Sequence, residues 1–283
     1  MKRRDLLKGT MAAGVWATLP WKPVTAETDS IPVAFVVSDR AVVIDFAGPW
    51  EVFQDVTIPG RTTPAFTPYT VAEHPDPIRA TGGMRIVPDY TFATAPAPKI
   101  VVIPAQRGVT EPLLNWIRST AKTTDLTMSV CVGANVLAQT GLLSGKAATT
   151  HHDSYQMMAL QFPDVQVKRG VRFVVDGNVA SSGGLSSGID LALHVVERYY
   201  GREVAQKTAF YMEYQGQGWL DPTNNEIYNT ERVSTADHPL CPVCGMEVDP
   251  KTDQHVDYEG KTYVFCTIAH KKQFELSPAK FAK

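Results

Sequence analysis

The chain has no surplus of charge of either sign. Its 27 basic and 29 acidic side chains leave a formal charge of −2, so the basic field that draws proteins to nucleic acid is missing. Long apolar runs are also missing. The longest, Gly9 to Trp21, is too short to span a bilayer comfortably. There is no internal repeat, and cysteine is scarce, with four in the whole chain, one alone and three clustered near the C-terminus. What remains is a chain of 283 residues, 44% of them hydrophobic, long enough to bury a full core and still carry a second small unit.

Residues 1–26 read as an export signal. A basic start precedes the apolar run, and Val24-Thr25-Ala26 offers small residues at a cleavage site. Arg3-Arg4 followed by Asp5, Leu6, Leu7 and Lys8 resembles the twin-arginine signal, with an uncleaved basic amphipathic anchor as the alternative. Cutting after Ala26 removes five basic residues and one acidic one, moving the charge from −2 to −6. An acidic periplasmic protein without stable membrane insertion is the expectation. In that oxidising compartment a free thiol needs a reason to persist.

In the mature part, strand-like runs alternate with helical patterns. IPVAFVV (31–37), KIVVIPA (99–105) and TMSVCV (127–132) are short, β-branched and almost wholly apolar, as strands covered on both faces must be. Helical periodicity covers 49–56, 111–123, 134–143, 154–161, 188–200 and 202–214. An Asp-Gly pair in RFVVDGNVASSGG marks a hairpin. The pattern predicts a three-layer α/β sandwich with a mostly parallel sheet over residues 31–214. Polar, turn-rich residues 215–237 read as a linker to a C-terminal module at 238–283.

Two groups of residues carry chemistry. Cys131 ends a strand and a helix begins near Gly133, so its thiol lies at the carboxyl end of the sheet and at a helix start. There the helix dipole favours a thiolate and predicts a depressed pKa. A buried small side chain is the competing reading. In the C-terminal module, Cys241-x-x-Cys244 on a turn and Cys266-x-x-x-His270 at a strand-to-helix junction can supply four ligands to a tetrahedral ion. Three sulfurs and an imidazole suit zinc or cuprous copper. A Cys241–Cys244 disulfide with Cys266 unpaired is the alternative.

The segments VVIDFAGPWEVF, SVCVGANVLAQTGLLSGKAATTHH and DGNVASSGGLSSGIDLALHVVERYYG together resemble the ThiJ/PfpI superfamily, near isonitrile hydratases and the sensing half of AraC-type regulators. No helix-turn-helix region follows them. The resemblance implies a flavodoxin-like, class I glutamine amidotransferase-like fold and a homodimer. It puts the nucleophile on Cys131, its acidic partner on Asp45 and an assisting histidine at His151. It also implies an oxyanion hole from the backbone of Val132, Ala105 and Gln106. Val132 stands where isonitrile hydratases carry threonine, and Ala105-Gln106 where the family has a Gly-Gly turn. Read without the resemblance, Asp45 could be a helix N-cap and His151 a structural residue.

The C-terminal residues CPVCGM, YEGKTYVFC and SPAKF resemble a YHS domain, which implies metal binding by Cys241, Cys244, Cys266 and His270. The large domain shows no cofactor motif. Three readings follow: a cysteine-dependent enzyme for a small electrophile such as an isonitrile, aldehyde or dicarbonyl; a noncatalytic ligand or redox sensor; and a copper- or zinc-handling protein.

Overall fold

A computed structural model describes residues 29–229, 233–235, 237–251 and 253–282. The signal read over residues 1–26 lies outside them. The main sheet has seven strands: β1 (Ile31–Val36), β2 (Phe66–Ala72), β3 (Tyr90–Thr91), β4 (Ile100–Ile103), β5 (Leu126–Ser129), β6 (Phe173–Asp176) and β7 (Val179–Ser182). Their order is β6-β7-β5-β4-β1-β2-β3. All neighbours are parallel except β6 and β7, which form the antiparallel hairpin expected at Asp176-Gly177.

The alternation of side chains along each strand builds two cores. Val33 and Phe35 of β1, with Ile100 and Val102 of β4, face one core. Ala34, Val36, Val101 and Ile103 face the other. The first is closed by α1 (Val43–Gln54), α5 (Ser187–Tyr200) and α6 (Arg202–Tyr211). The second is closed by α2 (Glu111–Thr120), α3 (Gly133–Gln139) and Met158 of α4 (Tyr155–Gln161). This is the expected flavodoxin-like sandwich, with continuous apolar strands because helices cover both faces. No helix among the described residues is long and apolar enough to cross a membrane.

Three local features go beyond the sequence reading. Strand β2 escapes the apolar pattern because Pro68 interrupts it. The proline is accommodated because β3 pairs only with Val71 and Ala72, leaving Pro68 at an open edge. Helix α1 begins at Val43, six residues before the expected start, and runs through Pro49. Residues 215–229, within the stretch read as linker, pack on the sandwich. Trp219 is buried, Arg172 donates its backbone N–H to the Pro222 carbonyl, and Asn225 Nδ2 donates to the Val171 carbonyl at 3.3 Å.

The C-terminal module is a hairpin, β8 (Gln254–Tyr258) and β9 (Lys261–Phe265), followed by α7 (Ile268–Leu276) and α8 (Pro278–Phe281). Phe265, Phe274 and Phe281 form a small aromatic core with Val243, Val248 and Val264. The module rests on α4: Met157 and Leu160 pack against that core, and Gln156 Nε2 donates to the Pro242 carbonyl at 3.4 Å.

Candidate active site and metal centre

Cys131 follows the end of β5 and is held in a left-handed conformation with φ of 57°, a strained state for a residue with a side chain. Three contacts maintain it. The Cys131 N–H donates to the Gly183 carbonyl at 3.0 Å, Thr150 Oγ1 donates to the Cys131 carbonyl at 3.0 Å, and Val130 N–H donates to the Ile103 carbonyl at 3.0 Å. The next turn needs Gly133, since a Cβ there would lie 2.2 Å from the Ile103 carbonyl oxygen. Gly133→Ala should destabilise the protein by about 3 kcal/mol or more through displacement of backbone rather than of a side chain. Denaturant unfolding of the variant checks this.

Asp45 lies in the first turn of α1 and is fully buried. Its Oδ2 accepts the Ala105 N–H at 3.0 Å, and Ala105 returns the tie by accepting the Val42 N–H at 2.8 Å. Asp45 is therefore no N-cap. Its other oxygen receives no N–H or O–H hydrogen bond, and the Cys131 thiol is its polar neighbour. Burial raises the Asp45 pKa to about 7, partly offset by the Ala105 N–H and the thiol. Burial, followed by the Asp45 charge, pushes the Cys131 thiol up to about 12, against hydrogen bonds from the Val132 and Leu185 backbone.

The depressed thiol pKa expected from the helix start is therefore overturned: α3 is only seven residues long, and a nearly dry thiol beside a carboxyl outweighs its dipole. The pair is best described as a dyad losing its first proton near pH 7 and its second near pH 12.

The expected oxyanion hole changes accordingly. The Ala105 N–H is committed to Asp45, so it holds the carboxyl instead of facing a substrate oxygen. The Val132 N–H points to the thiol sulfur. The Gln106 side chain accepts from Ser38 Oγ at 2.9 Å, and its buried Nε2 has no partner.

His151 meets the site through Gly184. Its Nδ1 accepts the Asp153 N–H at 3.3 Å, which leaves the proton of the neutral ring on Nε2. The ring edge lies 2.6 Å from where a Gly184 Cβ would stand, so only glycine fits. Burial, then His152, lowers the His151 pKa. This favours a neutral hydrogen-bond donor over a protonated acid. The ring stacks on His152 at 4.2 Å, and His152 stacks on Tyr228 at 4.9 Å.

Thus Cys131 and Asp45 come together directly, while His151 stands on the wall formed by Gly184 and Leu185. Sequence reasoning missed Arg172, Ser187 and Tyr228, which line a cavity with His151, Gly184 and Leu185, next to the Cys131–Asp45 pair but not including it. No local motif marks them, and Tyr228 sits in the stretch read as linker.

The four expected metal ligands converge. The ligand atoms of Cys241, Cys244, Cys266 and His270 all lie within 4.8 Å of one another. Cys244 and Cys266 sulfurs are 3.5 Å apart, and Cys266 Sγ is 3.2 Å from His270 Nδ1. A tight turn supplies the first pair, with the Gly245 N–H donating to the Cys241 carbonyl at 2.8 Å. Thr267 Oγ1 caps α7 by accepting the His270 N–H, which presents the imidazole to the sulfurs. All four cysteines are free thiols. The hydrogen bond from Cys244 pushes the Cys241 thiol down, and Cys244 moves up in consequence. A compact set of three sulfurs and one imidazole fits a zinc or cuprous ion. His255 is exposed on β8, outside this set.

A doubly covered parallel sheet with a cysteine on a strained strand-to-helix turn, backed by a buried carboxyl, defines a class of α/β-sandwich proteins. The chain belongs to the DJ-1/PfpI family, whose model matches residues 32–198, and carries a YHS domain at residues 241–283. It is 30% identical over 190 residues to an isonitrile hydratase from Pseudomonas putida, a match covering 65% of this chain and 79% of that protein. It is 31% identical over 130 residues to the HTH-type transcriptional regulator GbdR of Pseudomonas aeruginosa, covering 44% of this chain but only 35% of the regulator. Among solved structures, a ThiJ/PfpI family protein from Pseudomonas syringae aligns with a TM-score of 0.59 and 25% identity, over 66% of this chain and 76% of that one.

Proposed function

We propose that the protein is an exported cysteine-dependent enzyme that adds Cys131 to a small carbon electrophile, of isonitrile, aldehyde or dicarbonyl type, with Asp45 as the proton partner. The observation that carries this reading is the buried Asp45 carboxyl beside a strained cysteine, its pKa raised to about 7. Near neutral pH the dyad holds one proton. When the sulfur attacks, the proton can pass from Asp45 to the substrate. For an isonitrile, the S–C bond forms as that carbon takes the proton. Water then adds to the resulting thioimidate, and cleavage of the C–S bond releases a formamide and restores the thiol. The neutral His151 Nε2–H supports the developing charge from the Gly184 wall.

Val132 cannot hold water through its side chain, so hydrolysis of the adduct is the expected slow step. Val132→Thr should raise isonitrile turnover about tenfold or more, read as formamide release by chromatography. Failure of isonitriles, aldehydes and dicarbonyls alike to leave an adduct mass on Cys131 would sink the enzyme reading. The twin-arginine-like start motivates the export proposal, tested by the cell fraction in which the full-length protein accumulates. A homodimer, proposed by analogy with the family, is read from its mass in solution. The fused Cys/His cluster favours a second reading, a periplasmic copper- or zinc-handling protein with the sandwich as scaffold. A metal-loaded protein inert toward every electrophile but able to pass its ion to an acceptor would support it.

A further inference from the structure

His151 stands beside the cysteine because its chain neighbour Thr150 donates Oγ1 to the Cys131 carbonyl. Its ring is not fixed by its own rotamer, since rotation about the Cβ–Cγ bond of histidine is soft. Contacts have to orient it. One edge rests on Gly184, and Nδ1 accepts the Asp153 N–H at a long 3.3 Å. The ring face is held by His152, whose plane is tilted by 30° at a centroid distance of 4.2 Å. His152 is partly exposed in turn, with the Asp153 carboxylate 3.6 Å away.

Tyr228 covers the outer face of His152 at 4.9 Å and the same 30° tilt, so three rings stand in a row. The tyrosine comes from the stretch between the two modules, and the fold gives it a seat. A single 3-10 turn, Glu226–Tyr228, lies on Gly170, where a Cβ would collide with Glu226 Oε2 and stand 3.1 Å from Asn229 Cβ. The Gly170 N–H donates to the Tyr155 hydroxyl at 3.3 Å, which ties the seat to the helix that follows the histidines. Asn225 holds the turn from the other side, accepting the Tyr228 N–H at 3.0 Å and donating Nδ2 to the Val171 carbonyl at 3.3 Å.

We infer that Tyr228 is a positioning residue for the cysteine site: through His152 it holds the His151 ring against the Gly184 wall, so the stretch joining the two modules completes the site. What His151 does there rests on the cysteine reading above; the residue that holds it in place is added here.

Ring NMR of the zinc-loaded full chain with isotope-labelled histidine, assigned with His151→Gln, tests the geometry without any substrate. In the wild type, His151 should carry its proton on Nε2 and titrate below the ordinary 6.5, because burial and then His152 lower its pKa against the pull of Asp153. The other charged groups nearby are Arg172, ion-paired with Asp190, and Glu226 on the Gly170 seat. Tyr228 is 41% exposed, so Tyr228→Ala leaves the core intact. It frees His152 and uncovers His151, and both lowering causes weaken while Asp153 stays. The His151 pKa should rise towards 6.5 and its tautomer preference should fade. Tyr228→Phe keeps the ring face and should match wild type. In a His152→Ala background, Tyr228→Ala should move His151 no further.

The consequence is read with methyl isonitrile, by the rate at which its adduct mass appears on Cys131. The S–C bond forms as the isonitrile carbon takes the dyad proton. Tyr228→Ala should slow this about three- to tenfold, the worth of one aromatic stack, and Tyr228→Phe should restore it. In a His151→Ala background, Tyr228→Ala should have no effect.

A His151 titration and tautomer indifferent to Tyr228→Ala overturn the positioning role and leave the cysteine chemistry standing. A shifted His151 in a protein whose Cys131 takes up no isonitrile, aldehyde or dicarbonyl keeps the positioning role and overturns the cysteine reading. Additive losses from Tyr228→Ala and His151→Ala reject the route through His151.

Discussion

His270→Ala should weaken zinc binding by the full-length protein about a hundredfold or more, while His255→Ala leaves it unchanged. Substitutions one layer outside a metal shell already cost ~10–100-fold, and His270 supplies the fourth ligand atom of a set lying within 4.8 Å. The same ion should hold the module together. Its core is limited to three phenylalanines, three valines and the inner cysteines, with Tyr258, Tyr263 and Val256 only partly covered. So little apolar area, at ~25 cal/mol per Å², barely offsets the ordering of a module this small. A structural zinc site can add roughly 10 kcal/mol or more.

Chelator should therefore abolish amide-exchange protection in β8, β9 and α7 while the main sheet stays protected. One equivalent of zinc should restore it. Competition titration and hydrogen exchange read both effects. Protection that survives chelation, or equal losses from the two histidine variants, would reject the four-ligand shell.

Alkylation of Cys131 should rise through about pH 7 and level off, and Asp45→Asn should erase that step. Loss of the first proton from the dyad creates a population with the remaining proton on Asp45 and the sulfur ionised. Without the carboxyl, the buried thiol titrates alone, and only a high-pH limb remains. The same substitution should change the pH dependence of stability. The folded pKa of Asp45 lies above its ordinary value of 3.8 at about 7, so this group's contribution is fully present below about pH 4. It is lost as pH rises through about 7, because the unfolded chain ionises first.

The loss amounts to at most about 4 kcal/mol. Relative to wild type, Asp45→Asn should therefore gain stability between about pH 4 and pH 8, measured by denaturant unfolding at each end. A step near pH 7 that persists in Asp45→Asn would move the titration to another group and remove Asp45 from the dyad.

Much of this was legible in the chain because the relevant physics is local. Continuous apolar strands announce a sheet covered on both faces, and Asp-Gly announces the β6–β7 hairpin. The spacings Cys241-x-x-Cys244 and Cys266-x-x-x-His270 each place two side chains on one turn, so the sequence alone marked the Cys/His cluster, the order of the two modules and the strand-end position of Cys131. Strand β2 was hidden by Pro68, since tolerance of proline depends on which neighbour reaches that edge.

The tertiary structure decided the rest, because burial and approach across the fold have no sequence periodicity. Asp45 stands 60 residues from the Ala105 N–H that holds it, and packing around both groups, rather than the helix start at Gly133, sets the protons of the cysteine dyad. The cavity beside Gly184 likewise joins His151, Arg172, Ser187 and Asn225 from separate stretches of chain, which meet only once the fold has closed around them.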